Sequence, residues 1–350
     1  MPEVKIGDFL IGPDHPPFVV AEAGINHNGE LERAIEMVRV AKRAGADAVK
    51  FQTFKAEEFV SDPNQMFTYR SQGKEITESM LKMFRRYEFS QDDWFLIKKK
   101  CDEEGILFMS TPQNYSDLEL LLKIGVPAVK VGSDDFTNLP LLESYAKTGL
   151  PMIVSCGMAD MADVYQALNI IGTFDGYPTI LLLCTSQYPT PPEDVNLLKL
   201  RTLRRAFPGI ILGFSDHTQG PLASSLTVAM GAVVFEKHFT LDHDLPGPDH
   251  WFSANPEELR LWISCVRQAH TMMGNGILRC TSVEVEMKKL ARRSVVALKD
   301  IKKGDVLSID NLGLKRPGSG LPTSLYNQII GMKATRNISR SSILRMGDFK

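Results

Sequence analysis

Cysteine is scarce in this 350-residue chain, and its spacing points to no metal or disulfide site. The five cysteines are scattered, odd in number and never arranged as CxxC. This argues against both a disulfide framework and a structural zinc site. Apolar runs of about 18 residues are also missing, so no transmembrane helix is predicted. The first residues lack the charged-then-apolar layout of a signal peptide, and we therefore expect a cytoplasmic protein without a membrane partner.

The chain also lacks an excess of either charge sign. Its formal net charge is −2, and no block of five or more like charges occurs. Proteins that bind nucleic acid present a larger basic excess, so a nucleic-acid partner is not expected. Hydrophobic residues make up 43% of the chain and charged residues 23%. Such a composition is typical of a globular protein that buries a full core.

Short apolar runs alternate with helical patterns over most of the chain. Eight such runs predict buried strands, from residues 17–23 and 48–53 to residues 210–215 and 232–238. Strands that alternate with helices over about 255 residues predict parallel pairing. The count of eight favours a closed (β/α)₈ barrel of the TIM type over an open doubly wound sheet.

The pattern changes beyond Met273. We expect residues 1–274 to form the barrel, 275–292 to form a polar linker and 293–350 to form a small β-rich domain. About 58 residues is a marginal size for an independent domain, so this tail is expected to dock on another surface. Within the barrel, residues 55–88 are long and polar, and they predict an elaborated loop with a helix; loops of this length are usually functional.

Two histidines stand where predicted strands end. His217 lies in the segment 213–218 and His238 in the segment 236–240, each directly after an apolar run. Strand ends on one rim of a barrel bind ligands, and two neutral imidazoles with water or carboxylate suit a divalent transition metal. A single strand-end histidine is more often a hydrogen-bonded structural residue. With two such histidines on consecutive strands, a metal site and a structural role for the pair are equal alternatives.

Two lysines occupy equivalent positions in the predicted strands two and four. Because an unpaired buried ammonium group is very costly, Lys50 and Lys130 must each be paired or contact a ligand. With neighbouring hydroxyls they would hold a phosphate or carboxylate through charge-assisted hydrogen bonds. A structural ion pair is the alternative, and Glu22 is its natural partner. The other polar residues expected on this rim are Gln52, Ser110, Thr111, Ser133, Ser155, Thr185, Ser186, Ser215, Asp216, Glu236 and Lys237.

Some further side chains have no clear role from their position alone. His27 lies in a loop and is either a third metal ligand or without function. Cys156 and Cys184 follow predicted strands, but neither has a histidine in its own motif. Buried cysteines at such positions are usually inert packing residues, which is the interpretation we favour.

Ten motifs follow one another along the chain in a recognisable order. They are Ala21–Gly29, Val49–Thr53, Ser110–Pro112, Val129–Ser133, Cys184–Pro191, Glu193–Leu197, Ser215–Thr218, Glu236–Thr240, Gly247–Asp249 and Lys315–Gly318. Together they resemble the sialic acid synthases, the bacterial N-acetylneuraminate synthases with their legionaminate, pseudaminate and spore-coat relatives. The resemblance covers nearly the whole chain, including a tail similar to the family's antifreeze-like (SAF) domain.

The resemblance implies a transferase that condenses phosphoenolpyruvate with an open-chain N-acetylated hexosamine, N-acetylmannosamine. The products are a nine-carbon 2-keto acid and phosphate. It implies that His217 and His238 bind a divalent metal, Mn²⁺ or alternatively Mg²⁺ or Co²⁺, which acts on the sugar aldehyde as a Lewis acid. The residues it assigns to phosphoenolpyruvate are Lys50, Thr111, Lys130, Ser133, Ser155, Ser186 and Ser215. Those it assigns to the sugar are Gln52, Tyr188, Asp249 and Arg316, while Glu22 contacts a sugar hydroxyl or moves a proton.

The resemblance further implies a domain-swapped homodimer. In this family the tail of one subunit caps the partner's barrel, so Arg316 would reach the sugar's acetamido group in trans. The chain departs from the family pattern at Asp134 and Asp135, where Gly-Glu is usual, and at Cys156, where Thr is commoner.

The identity of the amino sugar stays open at this point. The motif Gly247–His250 favours the neuraminate and legionaminate branches over the pseudaminate branch. Residues 64–74 match no branch clearly, so a legionaminate synthase that uses the 6-deoxy-2,4-diacetamido sugar is the alternative.

Two rival functions are less well supported. Another phosphoenolpyruvate-dependent aldolase, such as a deoxy-heptulosonate or deoxy-octulosonate synthase, uses phosphorylated sugars. It would need a second basic cluster, which the sequence does not indicate. A non-catalytic sugar- or ice-binding protein is suggested only by the tail, and it would not require two lysines and two histidines on one rim.

Overall fold

Strands and helices alternate along the first of two units in the computed structural model, which describes residues 3–350. The first unit ends at Gly274 and the second begins at Asn275. The barrel strands, labelled β1 to β8, are Phe18–Gly24, Ala48–Thr53, Leu107–Pro112, Val129–Val131, Met152–Ser155, Thr179–Cys184, Ile211–Asp216 and Val234–His238. The helices that follow them, α1 to α8, are Leu31–Ala44, Gln91–Glu104, Tyr115–Ile124, Leu139–Ala146, Met161–Ile171, Lys199–Ala206, Leu222–Ala229 and Pro256–Met273.

The eight strands form one parallel sheet that curls into a barrel. Strands pair with their neighbours in sequence, and β8 pairs with β1. At the remaining seam β3 and β4 lie side by side. This architecture confirms the predicted (β/α)₈ barrel. In the part of the chain that the structure describes, no helix is long and apolar enough to cross a membrane.

Local chemistry sets where the helices begin and end. The helix α8 begins after Asn255, whose side chain accepts hydrogen bonds from the backbone N–H groups of Glu257 and Glu258. Glu258 bonds back to the Asn255 N–H, which completes a capping box. The helix α1 ends at Gly45, which has a φ of 94°. A side chain would be disfavoured in that left-handed conformation.

The lower half of the barrel interior is apolar. Alternate residues of a strand face the same way, so Phe18 on β1 and Ile180 and Leu182 on β6 all point inward. They belong to one buried cluster with Ile6 and Ile11 of an amino-terminal hairpin. The strands of this hairpin are Val4–Ile6 and Phe9–Ile11. The hairpin therefore fills the bottom of the barrel and leaves the opposite rim for ligands.

An antiparallel hairpin stands on that opposite rim. Its strands are Met66–Ser71 and Lys74–Ser79, and we call it the cavity hairpin. The turn residues Gln72 and Gly73 both have positive φ, as a two-residue hairpin turn requires. Short helices flank it at Ala56–Phe59 and Met80–Arg85. The sequence predicted only a loop with a helix here, and this prediction was incomplete.

The second unit has its own small core. It begins with the helix Ser282–Ala291 and contains a pair of antiparallel strands, Ser294–Ala297 and Leu312–Lys315. Single β-bridges connect further segments, and a short helix spans Tyr326–Ile329. The core residues are Val295, Ala297, Ile301, Leu307, Leu312, Leu321, Ile329, Ala334, Ile338 and Leu344.

Candidate active site

The inward-facing residues change from apolar to polar toward the carboxyl ends of the strands. On β1 the inward series runs from Phe18 to Glu22, and on β2 it reaches Lys50. On β8 it continues through Glu236 to His238. The same alternation that fills the bottom of the barrel therefore delivers charged and polar side chains to its upper rim.

These side chains surround a cavity of about 600 Å³. Every first-unit residue that the resemblance assigned to a substrate, the metal or catalysis lines it, whereas Ser110, Thr185, Asp216 and Lys237, also expected on the rim, do not. Arg316 belongs to the second unit. The predicted residues that line the cavity are Glu22, Lys50, Gln52, Thr111, Lys130, Ser133, Ser155, Ser186, Tyr188, Ser215, His217, His238 and Asp249.

Two lysines and two glutamates form a buried charge cluster at the base of the cavity. Lys50 Nζ lies 2.7 Å from Glu22 Oε2 and 3.7 Å from Glu236 Oε2. Lys130 Nζ lies 3.7 Å from Glu236 Oε1, which also accepts a hydrogen bond of 3.1 Å from Ser215 Oγ. Glu236 therefore bridges the two ammonium groups. The Glu22–Lys50 pair considered from the sequence does form, and both of its members also line the cavity.

The two carboxyl groups of this cluster are pushed to opposite protonation preferences. Burial, together with the nearby charge of Glu236, raises the pKa of Glu22 to about 7. Burial alone would also raise the pKa of Glu236, but the ammonium groups of Lys130 and Lys50 hold it below its usual value. Burial lowers the pKa of Lys130. Near neutral pH the site thus offers one carboxyl group that can give up a proton beside another that is ionised.

Hydroxyl groups and one ammonium group form a recess beside this cluster. Lys130 Nζ donates to Ser155 Oγ at 2.9 Å, and the Gly157 N–H donates to Ser133 Oγ at 3.0 Å. Ser186 Oγ is buried without a hydrogen-bond partner among residues 3–350. A Cβ on Gly157 would come within 2.4 Å of Ser186 Oγ and 2.6 Å of Ser133 Oγ. Only glycine lets these hydroxyls approach, and we call the group the serine–lysine recess.

The two strand-end histidines stand next to each other across the cavity. Their ring centroids are 5.4 Å apart, and the Tyr188 ring lies 4.2 Å from that of His217 and 5.7 Å from that of His238. His217 Nδ1 donates to the Thr185 carbonyl at 2.7 Å, which leaves Nε2 as a lone-pair donor. Burial holds the pKa of His238 well below its usual value, so this imidazole is neutral.

The imidazole pair fits a divalent metal with open coordination positions. Within residues 3–350, no three His, Cys, Asp or Glu side chains converge closely enough to hold an ion unaided. The two imidazole rings can nevertheless supply two nitrogen ligands, and His238 Nδ1 is buried with no partner in the same described range. Water or substrate oxygens would then complete the coordination.

Aromatic side chains and one guanidinium group form the outer end of the cavity. Arg70 of the cavity hairpin packs over the Trp251 ring at 4.9 Å. The hairpin is held there because the Gly247 N–H donates to Ser71 Oγ at 3.0 Å. Asp249 lies in the same loop as Gly247 and Trp251, and burial raises its pKa to about 6. Further residues of this outer end are Phe67, Tyr69, Met83, Phe84 and Phe252.

Several cavity residues had no role assigned from the sequence. Glu236 was expected on the rim, but its contact with both lysines depends on strands far apart in the chain. Its period-two relation to His238 is the signal that points it inward. Arg70 and Trp251 had no such signal. Asp134, which departs from the family pattern, lines the cavity and folds back over Gly132, and nothing in the structure explains why a carboxylate stands there.

Other polar residues lie away from the cavity lining. The His27 ring stacks on Phe89 with centroids 4.2 Å apart, and its Nδ1 accepts from the Gly29 N–H. This histidine is therefore a packed structural residue and not a third metal ligand. Cys156 is buried, and its thiol donates to the Leu182 carbonyl at 3.3 Å.

Two family sequence models match this chain and establish the family to which it belongs. The sequence model of the NeuB family matches residues 37–278, and that of the SAF domain matches residues 292–350. The chain belongs to the NeuB family. This membership confirms the resemblance to the sialic acid synthases and the antifreeze-like tail that the ten motifs indicated.

Several relatives of this NeuB family member are named as synthases of acidic sugars. The N,N'-diacetyllegionaminic acid synthase of Legionella pneumophila is 39% identical over 331 residues, which cover 93% of each chain. The human N-acetylneuraminate-9-phosphate synthase is 36% identical and covers 92% of this chain and 90% of its own. The crystal structure of the sialic acid synthetase of Leptospira borgpetersenii, in complex with citrate, superimposes with a TM-score of 0.73. It is 34% identical and covers 81% of this chain and 94% of that one. The NeuB family member is thus an enzyme, as the sequence predicted.

Proposed function

We propose that this enzyme condenses phosphoenolpyruvate with an open-chain N-acetylated hexosamine to form a nine-carbon 2-keto acid and phosphate. The observation that carries the proposal is the convergence of Lys50, Lys130, His217 and His238 on one cavity. An anion end and an imidazole end in a single chamber suit a reaction between an anionic enol phosphate and a sugar aldehyde. A cytoplasmic location, where phosphoenolpyruvate is made, goes with this proposal.

The serine–lysine recess is the proposed phosphate subsite. Its hydroxyls and the Lys130 ammonium group can all donate hydrogen bonds to phosphate oxygens, and Ser186 Oγ has no partner within residues 3–350. The carboxylate of phosphoenolpyruvate would then lie toward Lys50 and Thr111, whose side chains are joined by a hydrogen bond of 3.0 Å. This placement would direct C3 of the enol toward the imidazole end.

At the imidazole end, His217 and His238 would hold the divalent metal, with Mn²⁺ as the proposed ion. A bound metal supplies a Lewis acid that polarises the sugar aldehyde. The Tyr188 ring and Phe252 pack beside the two imidazoles and limit the access of water to them. The sugar would extend from there toward Gln52, Asp249 and the aromatic outer end.

The proposed chemistry makes one C–C bond and breaks one C–O bond. C3 of phosphoenolpyruvate attacks the aldehyde carbon, and the aldehyde oxygen takes a proton to become a hydroxyl. Water then adds to the cationic C2, and the C–O bond to phosphate breaks as the keto group forms. The two protons of the water balance those gained by the new hydroxyl and the leaving phosphate. In this proposal Glu22 would give a proton and the ionised Glu236 would accept one.

The proposed sugar is N-acetylmannosamine. A second candidate, the 6-deoxy-2,4-diacetamido sugar, is supported by the apolar side chains of Phe67, Met83 and Phe84 at the outer end. A methyl terminus would bury well against these residues, and Arg70 could donate to a second acetamido oxygen.

A side-by-side assay tests both sugars. Enzyme with phosphoenolpyruvate and Mn²⁺ is expected to release phosphate only when an N-acetylated sugar is added, and a phosphorylated aldose serves as the control for the rival aldolases. A higher kcat/KM with the diacetamido sugar would favour the second candidate. No phosphate release with any N-acetylated sugar would favour a non-catalytic binding role.

We also propose a domain-swapped homodimer in which Arg316 reaches the sugar's acetamido group in trans. Two observations support it. Arg316 is exposed within its own chain. The helix Ser282–Ala291 exposes Val283, Met287 and Leu290, apolar side chains that a partner subunit would cover.

Replacing Arg316 by alanine is expected to raise the KM for the sugar by about tenfold or more and to leave the KM for phosphoenolpyruvate unchanged. One charge-assisted hydrogen bond contributes about 1.5–3 kcal/mol, which sets this magnitude. The neighbouring exposed Lys315→Ala variant is the matched control. Mixed dimers of His217→Ala and Arg316→Ala subunits should regain one intact site. An unchanged sugar KM would contradict trans capping, and a hybrid without recovered activity would place Arg316 in cis.

A further inference from the structure

A buried ion pair lies behind the two imidazoles, on the outer face of the barrel strands. In the register of β7 and β8, Ser215 is opposite Glu236 and Asp216 is opposite Lys237. Since alternate residues face opposite sides, the first pair points into the cavity and the second toward the helices. Lys237 Nζ lies 3.5 Å from Asp216 Oδ2, and both side chains are buried. The pair directly precedes His217 on one strand and His238 on the other.

The Asp216 carboxylate is fully hydrogen-bonded. Its Oδ1 accepts from the Thr218 N–H at 2.9 Å and from Thr218 Oγ1 at 2.7 Å. Its Oδ2 accepts from Ser224 Oγ of α7 at 2.6 Å and from Trp262 Nε1 of α8 at 3.1 Å. Two outer helices are therefore tied to the strand end that carries His217.

Lys237 completes the arrangement from the neighbouring strand. Its Nζ donates to the Thr218 carbonyl oxygen and faces the Trp262 ring at 6.0 Å from the centroid. The backbone of Thr218 is thus held at its N–H by Asp216 and at its carbonyl by Lys237. Because Thr218 follows His217 directly, these two hydrogen bonds fix the backbone from which the imidazole projects.

We propose that Asp216, Lys237 and Trp262 are positioning residues that hold His217 and His238 in the orientation their metal requires. The inference rests on the proposed function, in which these imidazoles bind the metal. Stability alone does not account for the ion pair, because packed apolar residues of similar volume stabilise a core as well or better. The charged pair instead fixes the geometry of the residues next to it. Residues that hydrogen-bond to metal ligands have the same effect in other proteins.

The test compares Asp216→Asn and Trp262→Phe with the wild-type enzyme. Trp262→Phe keeps an aromatic ring and removes a single N–H donor, so it remains informative if Asp216→Asn fails to fold. Titration with Mn²⁺ alone is expected to show affinity reduced about tenfold or more in Asp216→Asn and reduced in the same direction in Trp262→Phe. The KM for phosphoenolpyruvate should stay within about twofold. A crystal structure of each variant should show a reoriented His217 ring.

A matched control comes from Trp94, another buried indole on an outer helix, which packs against Phe51 and Phe89. Trp94→Phe should alter the melting temperature without changing Mn²⁺ affinity. Variants of Asp216 and Trp262 that behave like this control, with His217 unmoved, would overturn the inference. If the wild type binds no Mn²⁺ but His217 still moves in the variants, the metal proposal fails and the positioning role stands.

Discussion

Replacing His217 or His238 by alanine is expected to abolish metal-dependent turnover while the barrel stays folded. Each imidazole is proposed to supply one of two protein ligands, and loss of Lewis-acid catalysis worth about 4 kcal/mol lowers kcat by about a thousandfold. The fold should survive because the neutral His238 ring leaves no unpaired charge when it is removed. Phosphate release at saturating Mn²⁺ measures the activity, and thermal melting reports on the fold.

The half-buried His243, which pairs with Glu258 outside the barrel interior, provides the control for histidine removal. His243→Ala should retain wild-type activity and Mn²⁺ affinity. Wild-type enzyme treated with EDTA should lose activity and recover it when Mn²⁺ is returned. Near-normal activity in the metal-free enzyme would remove the metal from the proposed mechanism.

Lys130→Met is expected to raise the KM for phosphoenolpyruvate by about a hundredfold, with a smaller loss of stability than Lys50→Met causes. Lys130 supplies the only ammonium group of the serine–lysine recess as we define it, and charge-assisted hydrogen bonds contribute about 1.5–3 kcal/mol each. Burial already lowers the pKa of this lysine, so an apolar replacement of similar length removes a costly buried charge. Glu236 keeps Lys50 as a partner at 3.7 Å. Initial rates and thermal melting measure the two effects.

Lys50→Met is expected to lose more stability than Lys130→Met. Lys50 contacts Glu22 at 2.7 Å as well as Glu236, so its removal leaves two buried carboxyl groups with poorer partners. Breaking a buried pair in this way costs about 3–5 kcal/mol, and the Lys50 variant should therefore lose both activity and stability. Equal stability loss in both variants would contradict the separate roles given to the two lysines. A Lys130→Met enzyme with an unchanged KM for phosphoenolpyruvate would contradict the phosphate subsite.

The barrel could be predicted from the sequence because its strands are buried on both faces. A run such as Thr179–Cys184 is buried throughout and apolar after its first residue, and each such run is followed by a helical pattern. The same regularity gives the rim, since a residue two positions beyond an inward side chain also faces inward. Lys50 and Lys130 were found from their equivalent positions in two predicted strands, and His217 and His238 because each directly follows an apolar run.

The cavity hairpin could not be predicted in the same way. Most side chains of Met66–Ser71 and Lys74–Ser79 are exposed on both faces, so no alternation of apolar and polar residues marks the strands. Its register is set by the turn at Gln72 and Gly73 and by contacts to a loop about 170 residues away, such as Gln72 to the Asp244 carbonyl. Arg70 lines the cavity because these contacts hold the hairpin against that loop.

The ion pairs and protonation states of the charge cluster could not be predicted from the sequence either. A lysine on a strand indicates either an ion pair or a ligand contact, and here Lys50 makes the ion pair with Glu22 and lines the cavity as well. The protonation preferences of Glu22 and Glu236 depend on burial and on two lysines contributed by separate strands. No spacing pattern encodes those distances.

One chamber is proposed to hold phosphoenolpyruvate at its lysine end and a metal at its imidazole end. A crystal structure of the enzyme with phosphoenolpyruvate and Mn²⁺ would locate both ligands. The phosphate is expected in the serine–lysine recess against Lys130, with Mn²⁺ bound by His217 and His238. Phosphoenolpyruvate bound outside this recess, or Mn²⁺ bound away from both imidazoles, would contradict this proposal.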